Sequence, residues 1–509
     1  MNEFIEFSKN QFFLTAGFNL IFVEFNAGIS LITAIMYSMR KTIWQRCAKF
    51  WLKTILASYS ITVITTLLLV FQLATNWSKL GGICGNIFGP FLILIALIMF
   101  FCEFLMFLIK LRAEKTKTLW ILTILMHLHL WIIIAIQTTM HQPNSSIEFD
   151  YMNNCAHIVS FFDISFNFNT AIQFTKSLWK SYSIASIFCI GICARYILQN
   201  KHIAFSISSI KTAVLIGGSA CISLTPLIYK ASSFQMPNIK NIQTINVIHI
   251  KNGMLGLQAM RNLKKEYTLA EKEIFLMHKH DIAYANLIPE LQPTERLIGT
   301  SFETVLPSIS EINQEQITQI ANEIIPNFKL AFYSNLITIF INILLTIIFF
   351  MFAYKLFRKK ITSANFTLKC AIVVMPLPFL SAISQYANIE ATRGPWLINN
   401  MLPIYLAASN LTAISAMISL ISMCIFLFIC ILLFAFRIIN IAQDGPENHP
   451  ISTHNEPKPI LKNKLSKILN KKHLAKKINM KSSYKAQVPS RMDFKKLKKK
   501  TNKWKRKNK

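Results

Sequence analysis

Nine runs of mostly apolar residues dominate the chain, at roughly 12–36, 51–73, 86–109, 119–137, 180–199, 210–229, 330–355, 367–385 and 413–436. A helix of about 20 such residues crosses the hydrocarbon core of a bilayer. The pattern therefore predicts an all-α polytopic membrane helix bundle of about nine transmembrane helices. The first run holds Glu24 and has no cleavage site after it, so it is read as a retained span and not a signal peptide. Pro376 and Pro378 fall inside the eighth run. Proline removes a backbone donor and kinks a helix, so a kink is expected there.

The polar segments between the runs set the orientation. Arg40, Lys41, Arg46 and Lys49 follow span 1, and Lys110, Arg112, Lys115 and Lys117 follow span 3. Arg195, Lys201 and Lys211 follow span 5, and Lys355, Arg358, Lys359 and Lys360 follow span 7. With nine spans all of these lie on one side, which the positive-inside rule makes cytoplasmic. The N-terminus is then outside and the C-terminus inside. Residues 138–179 and 230–329 form two large external segments. The second, between spans 6 and 7, is too long for a bare connection and is expected to be a folded lid or partner surface. The chain thus divides into a nine-span membrane domain, 1–440, and a basic, disordered cytoplasmic tail, 441–509.

Composition narrows the class further. The 509 residues have a mean hydropathy of +0.41 and only 15% charged residues, against about 25% in soluble domains. An ordinary soluble enzyme is excluded. Residues 444–509 hold 21 Lys/Arg against 4 Asp/Glu, so the tail carries more than half of the +31 formal charge. Leu and Ile at roughly helical spacing among those lysines suit anionic lipid at the cytoplasmic face. No nucleic-acid-binding module accompanies them, so no nucleic acid is expected. The ten cysteines show no metal-ligand spacing and read mostly as small buried hydrophobes. Cys84 and Cys155 fall in segments placed outside, where a bridge between them stays open.

Ionisable groups inside a span are functional candidates, because hydrocarbon solvates them poorly. Glu103 lies deep in span 3, and nothing near it in sequence pairs with it, which leaves a proton relay, a cofactor contact or an unseen partner. His127 and His129 of span 4 are two residues apart, so they point to different helix faces and do not readily share a metal. Glu24 belongs either near a membrane face or to a functional site. Glu390 precedes span 9 in EATRGPW.

Several short stretches, in order, carry a family resemblance: QFFLTAGFNLIFV in span 1, FQLATNW at 71–77, GNIFG at 85–89, Gln142-Pro143, EATRGPW at 390–396 and LPIYLAASNLTA at 402–413. Over about residues 5–440 the chain resembles subunit I of the cytochrome bd-type quinol oxidases. The resemblance implies quinol oxidation near the outer face of a bacterial inner membrane. It implies electron flow through haem b to a second haem b and a haem d, reduction of oxygen to water, and a second membrane subunit. Glu390 matches the glutamate that ligates the high-spin haem iron. Arg393 matches the motif arginine, suited to a haem propionate, and Trp396 the motif tryptophan. Tyr386 stands where the family has tryptophan. Glu103 matches a glutamate near the haem pair and its proton path, and Lys240 a lysine of the quinol loop.

The departures are as specific as the matches. Asn19 stands where the family has the span 1 histidine, and Ile95 replaces the first glutamate of span 3. Lys176 replaces the low-spin haem histidine, Thr338 its methionine partner, and Leu336 a nearby arginine. Ile245 replaces the quinol-loop glutamate. Haem iron is normally held by His, Met, Cys or Tyr, and a protonated lysine has no lone pair to give. Two functions follow. One is a divergent oxidase subunit with unusual ligands. The other is a haem-poor, non-catalytic relative with a structural or assembly role. A transporter is disfavoured by the lack of an internal repeat.

Overall fold

The computed structural model describes residues 2–39, 41–111, 116–141, 147–150, 155–230, 328–393, 396–398 and 402–446. The segment 231–327, with Lys240 and Ile245, lies outside them, as does the basic tail from residue 447.

Among the described residues, nine helical segments are long and apolar enough to cross a membrane. Spans 1–4 are α1 (Asn2–Ser38), α2 (Thr42–Thr75), α3 (Ser78–Leu111) and α4 (Thr116–His141). An antiparallel hairpin follows, β1 (Ile147–Asp150) with β2 (Cys155–Ile158), in which Ile147 pairs with Ile158 and Asp150 with Cys155. The short α5 (Phe161–Ser165) leads into span 5, α6 (Phe168–Leu198), and span 6 is α7 (Ile203–Lys230). Span 7 is α8 (Phe328–Phe357), and span 8 is divided into α9 (Asn365–Val374) and α10 (Leu377–Arg393). After β3 (Trp396–Ile398), β4 (Leu402–Pro403) and α11 (Ile404–Ala407) comes span 9, α12 (Ala413–Asp444).

The apolar runs mark the spans well but underestimate span 5. The helix begins at Phe168, twelve residues before the predicted run, with Asn167 as its cap; the Asn167 side chain accepts from the Thr170 amide at 2.8 Å. Its early turns carry Gln173, Lys176, Ser177 and Lys180, polar residues that hide the helix from a hydropathy reading. The segment before it is correspondingly shorter than expected, and β2 packs on α3. Cys84 and Cys155 are both free thiols. Span 8 breaks at Met375 and Pro376, where Pro376 and Pro378 contribute no amide. Pro90, by contrast, is accommodated inside α3.

Spans 1 and 5 are the most enclosed and span 9 the least. The first span packs against α2, α4, α6, α10 and α12, so it forms the axis of the bundle. Its contact with α6 is backbone to backbone. A Cβ on Gly28 would stand 2.1 Å from the Ser181 carbonyl oxygen, so only glycine permits this approach. Gly28→Ala is expected to destabilise the protein by about 1–3 kcal/mol through overpacking. Gly81→Ala, where a new Cβ meets nothing within 4 Å, should leave thermal unfolding in detergent unchanged.

Candidate functional site

The residues singled out by sequence lie mostly along α1 and its neighbours. Asn19 is buried and turns toward α2. Its amide nitrogen donates toward Thr65 Oγ1 at 2.8 Å, Thr66 Oγ1 at 2.9 Å and the Thr62 carbonyl at 3.2 Å. Two turns on, Asn26 donates to Thr62 Oγ1 at 2.9 Å and accepts from the Ser58 hydroxyl. Toward the N-terminal end of α1, Gln72 donates to Thr15 Oγ1 at 2.7 Å and Asn76 donates to Gln11 Oε1 at 2.8 Å. The α1–α2 contact is thus a seam of neutral amides and hydroxyls from Gln11 to Asn26, a rise of about 22 Å at 1.5 Å per residue.

At its N-terminal end the seam ties two of the motif segments together. Gln11 donates to Ser419 Oγ at 2.8 Å. The Ser409 amide donates to the Asn76 carbonyl at 3.0 Å, the Ser78 amide donates to Ser409 Oγ at 2.9 Å, and Lys79 donates to Asn410 Oδ1 at 3.0 Å. FQLATNW and LPIYLAASNLT, more than 300 residues apart in sequence, meet here.

The other side of α1 is charged. Glu24 is fully buried, and Lys180 Nζ of α6 lies 2.7 Å from its Oε1. The same ammonium donates to Gln385 Oε1 of α10 at 2.9 Å. Glu24 is thus enclosed by neighbouring spans inside the bundle. Nothing in the sequence connected it to Lys180, 156 positions away. Lys176, one turn before Lys180, is buried as well.

The remaining candidates are spread out. Thr338 of α8 is buried, with its hydroxyl donated to the Ser334 carbonyl at 2.9 Å. Ile95 is buried in the apolar core. Glu103 is exposed on the outer side of α3 among the exposed Phe100, Phe101, Phe104 and Phe107, and does not face the bundle interior. The two histidines of α4 diverge as their spacing requires. His127 Nδ1 is 2.7 Å from the Thr123 carbonyl and its Nε2 3.1 Å from the Tyr182 hydroxyl. His129 is buried, and its Nε2 meets no hydrogen-bond partner among the described residues. Glu390 is half-buried near the end of α10, Arg393 is the last residue of that helix, and Trp396 opens β3 opposite Pro403. One turn before Glu390, Tyr386 stacks on Phe13 of α1 with ring centroids 5.3 Å apart, and its ring would lie 3.0 Å from a Cβ at Gly17. Among the described residues no group of three or more His, Cys, Asp or Glu side chains converges as a metal site.

Nine spans, a glutamate-bearing helix before the last of them and two joined motif segments agree with one family pattern. The pattern described as cytochrome bd terminal oxidase subunit I matches residues 7–446. The chain belongs to that family. It is 24% identical over 470 residues to cytochrome bd-II ubiquinol oxidase subunit 1 of Escherichia coli (strain K12), covering 81% of this chain and 91% of that one. It is 22% identical over 473 residues to cytochrome bd ubiquinol oxidase subunit 1 of Bacillus subtilis (strain 168), covering 89% and 97%. Its fold matches the bd oxidase structure from Geobacillus thermodenitrificans with a TM-score of 0.66 at 13% identity, over 87% of this chain and 99% of that chain.

The bd family implies haem, and the residues present fit it unevenly. At Asn19, where the resemblance puts a histidine, the side-chain amide is donated to three α2 oxygens, and an amide is a poor iron ligand in any case. At Thr338 the hydroxyl is committed to its own helix. The side chains at these two positions do not fit a haem iron. Glu390 keeps the carboxylate expected of its position, on a helix braced by Tyr386. The Asn19 geometry is open to direct test. Asn19→Ala removes one donor group and should cost about 1–2 kcal/mol. Asn19→Asp sets a carboxylate against three acceptor oxygens and should cost several kcal/mol. Thermal unfolding of the two purified variants checks this order.

Proposed function

We propose that this protein is a haem-poor subunit I of a bd-type membrane complex, which keeps the family's scaffold and has given up its electron route from quinol to oxygen. The observation that carries the reading is Asn19, whose amide is consumed by Thr62, Thr65 and Thr66 at the position of a family ligand. Haem, where bound, would supply electron transfer and oxygen chemistry. In this chain Glu390, supported by Arg393 and Trp396, is the residue set that would hold one. The chain's own groups do the rest: they fix the spans against one another, exclude water and present outer surfaces for assembly. A working oxidase with replaced ligands is the competing reading, favoured by the retained Glu390.

The second membrane subunit fits the outer side of α3. A carboxylate facing hydrocarbon is costly, so Glu103, ringed by exposed phenylalanines, favours a protein neighbour that offers it a hydrogen bond or a cation. Lys240 as a quinol contact and the basic tail as an anionic-lipid contact belong to the same proposal.

Haem content tests the reading. The chain, expressed with its partner subunit and purified in mild detergent, should give at most one haem in a pyridine haemochrome assay, lost in Glu390→Gln. Two or three haems per chain with a haem d band would overturn it. Orientation is tested separately. With the N-terminus outside a bacterial inner membrane, Cys155, half-buried on the external hairpin, should react with a membrane-impermeant maleimide added to spheroplasts. A protease added from the same side should leave the basic tail intact. Labelling of Cys155 only after lysis would reverse the topology.

A further inference from the structure

Asn19 of span 1 and Lys176 of span 5 stand where the family resemblance places two haem-site histidines. Five residues beyond the first stands Glu24, and four beyond the second stands Lys180. These two residues make the buried ion pair, and Lys180 extends it to Gln385 on span 8. Three spans far apart in sequence therefore meet at one ammonium. Immediately beyond it the chains of α1 and α6 close to backbone contact at Gly28 and Ser181. Toward the N-terminal end of α1, Tyr386 closes α10 onto it at Gly17.

We propose that Glu24, Lys180 and Gln385 form a charge clamp that holds spans 1, 5 and 8 in register without any bound group. The energetic coupling within the clamp is measurable with or without haem. A buried charge stripped of its partner is strongly destabilising, whereas replacing both partners with neutral groups is often tolerated. Lys180 is then a positioning residue: it fixes the helix that carries Glu390 and touches no reacting atom.

A double-mutant cycle tests this on the full chain purified with its partner subunit. The ten free cysteines, most of them buried, report unfolding by reaction with a fluorogenic maleimide at a fixed temperature. Glu24→Gln and Lys180→Met should each speed that reaction at least about ten-fold, while the double variant returns to within about three-fold of the parent. Gln385→Leu should show a smaller effect in the Lys180 background than alone in the parent. If the single variants fail to accumulate, recovery of expression in Glu24→Lys/Lys180→Glu or in the double neutral variant supports the clamp. Single variants that behave like the parent, or effects that simply add in the double variant, overturn it. Haem measured on the same preparations separates the two proposals. Full haem content with coupling sinks the haem-poor reading and leaves the coupled triad, and little haem without coupling does the reverse.

Discussion

A carboxylate and an ammonium inside a membrane bundle constrain everything around them. Neither is tolerated in hydrocarbon without a partner, so any arrangement of the spans that separates Glu24 from Lys180 is penalised. Lys180 has capacity for three hydrogen bonds, and Gln385 takes one of them. The direction of α1, the register of α6 and the placement of α10 are thereby coupled through a single nitrogen. The close approach at Gly28 and the stack of Phe13 on Tyr386 then lock the same helices by packing. Attraction selects the register and packing makes it rigid. A buried ion pair by itself contributes more to specificity than to net stability.

The opposite side of α1 solves a different problem. Asn19, Asn26, Gln72 and Asn76 are polar groups in a low-dielectric interior, and each donates to an oxygen on the neighbouring helix. The threonines they meet already donate to carbonyls of their own helix, as Thr65 does to Ile61 and Thr66 to Thr62. Their hydroxyls are left as acceptors, and only a donor satisfies them. Asparagine suits this seam better than the histidine expected from the family. It is shorter, it has two hydrogens to give, and it needs nothing from outside the protein. The substitution is thus part of a network that works without a metal.

The fold was largely legible in the sequence because membrane spans announce themselves by length and hydropathy. The Pro376/Pro378 break and the order of the motif segments added to it. The site was only partly legible. Glu103 was a candidate for an interior role because hydropathy gives depth but not direction; its exposure depends on which side of α3 faces α4, and that is a matter of tertiary packing. Span 5 was read too short because Lys176 and Lys180 look like the end of a helix when their partners are unknown. Glu24 and Lys180 each appear as an isolated charge along the chain, and only their meeting across the bundle shows why both are there. The asymmetry is physical. Apolar burial is a sum over local residues, whereas compensation of a buried charge is a property of a pair.

An iron ligand lost from a cofactor fold by drift alone would leave polar atoms without partners and space without side chains. The Asn19 amide and the Thr338 hydroxyl have partners, and an aromatic stack bears directly on α1. Asn19 reaches three acceptors, Thr338 is bonded within its own helix, and Tyr386 rests against Gly17. Ser8 Oγ on α1, Thr54 Oγ1 and Gln72 Oε1 on α2 and His129 Nε2 on α4 are buried without a hydrogen-bond partner among the described residues. Several substitutions that agree with one another to this extent point to a sequence that has been selected to fold and assemble in its present form. That is the argument for a retained role in a membrane complex over a decaying enzyme, and it is independent of whether Glu390 still holds a haem.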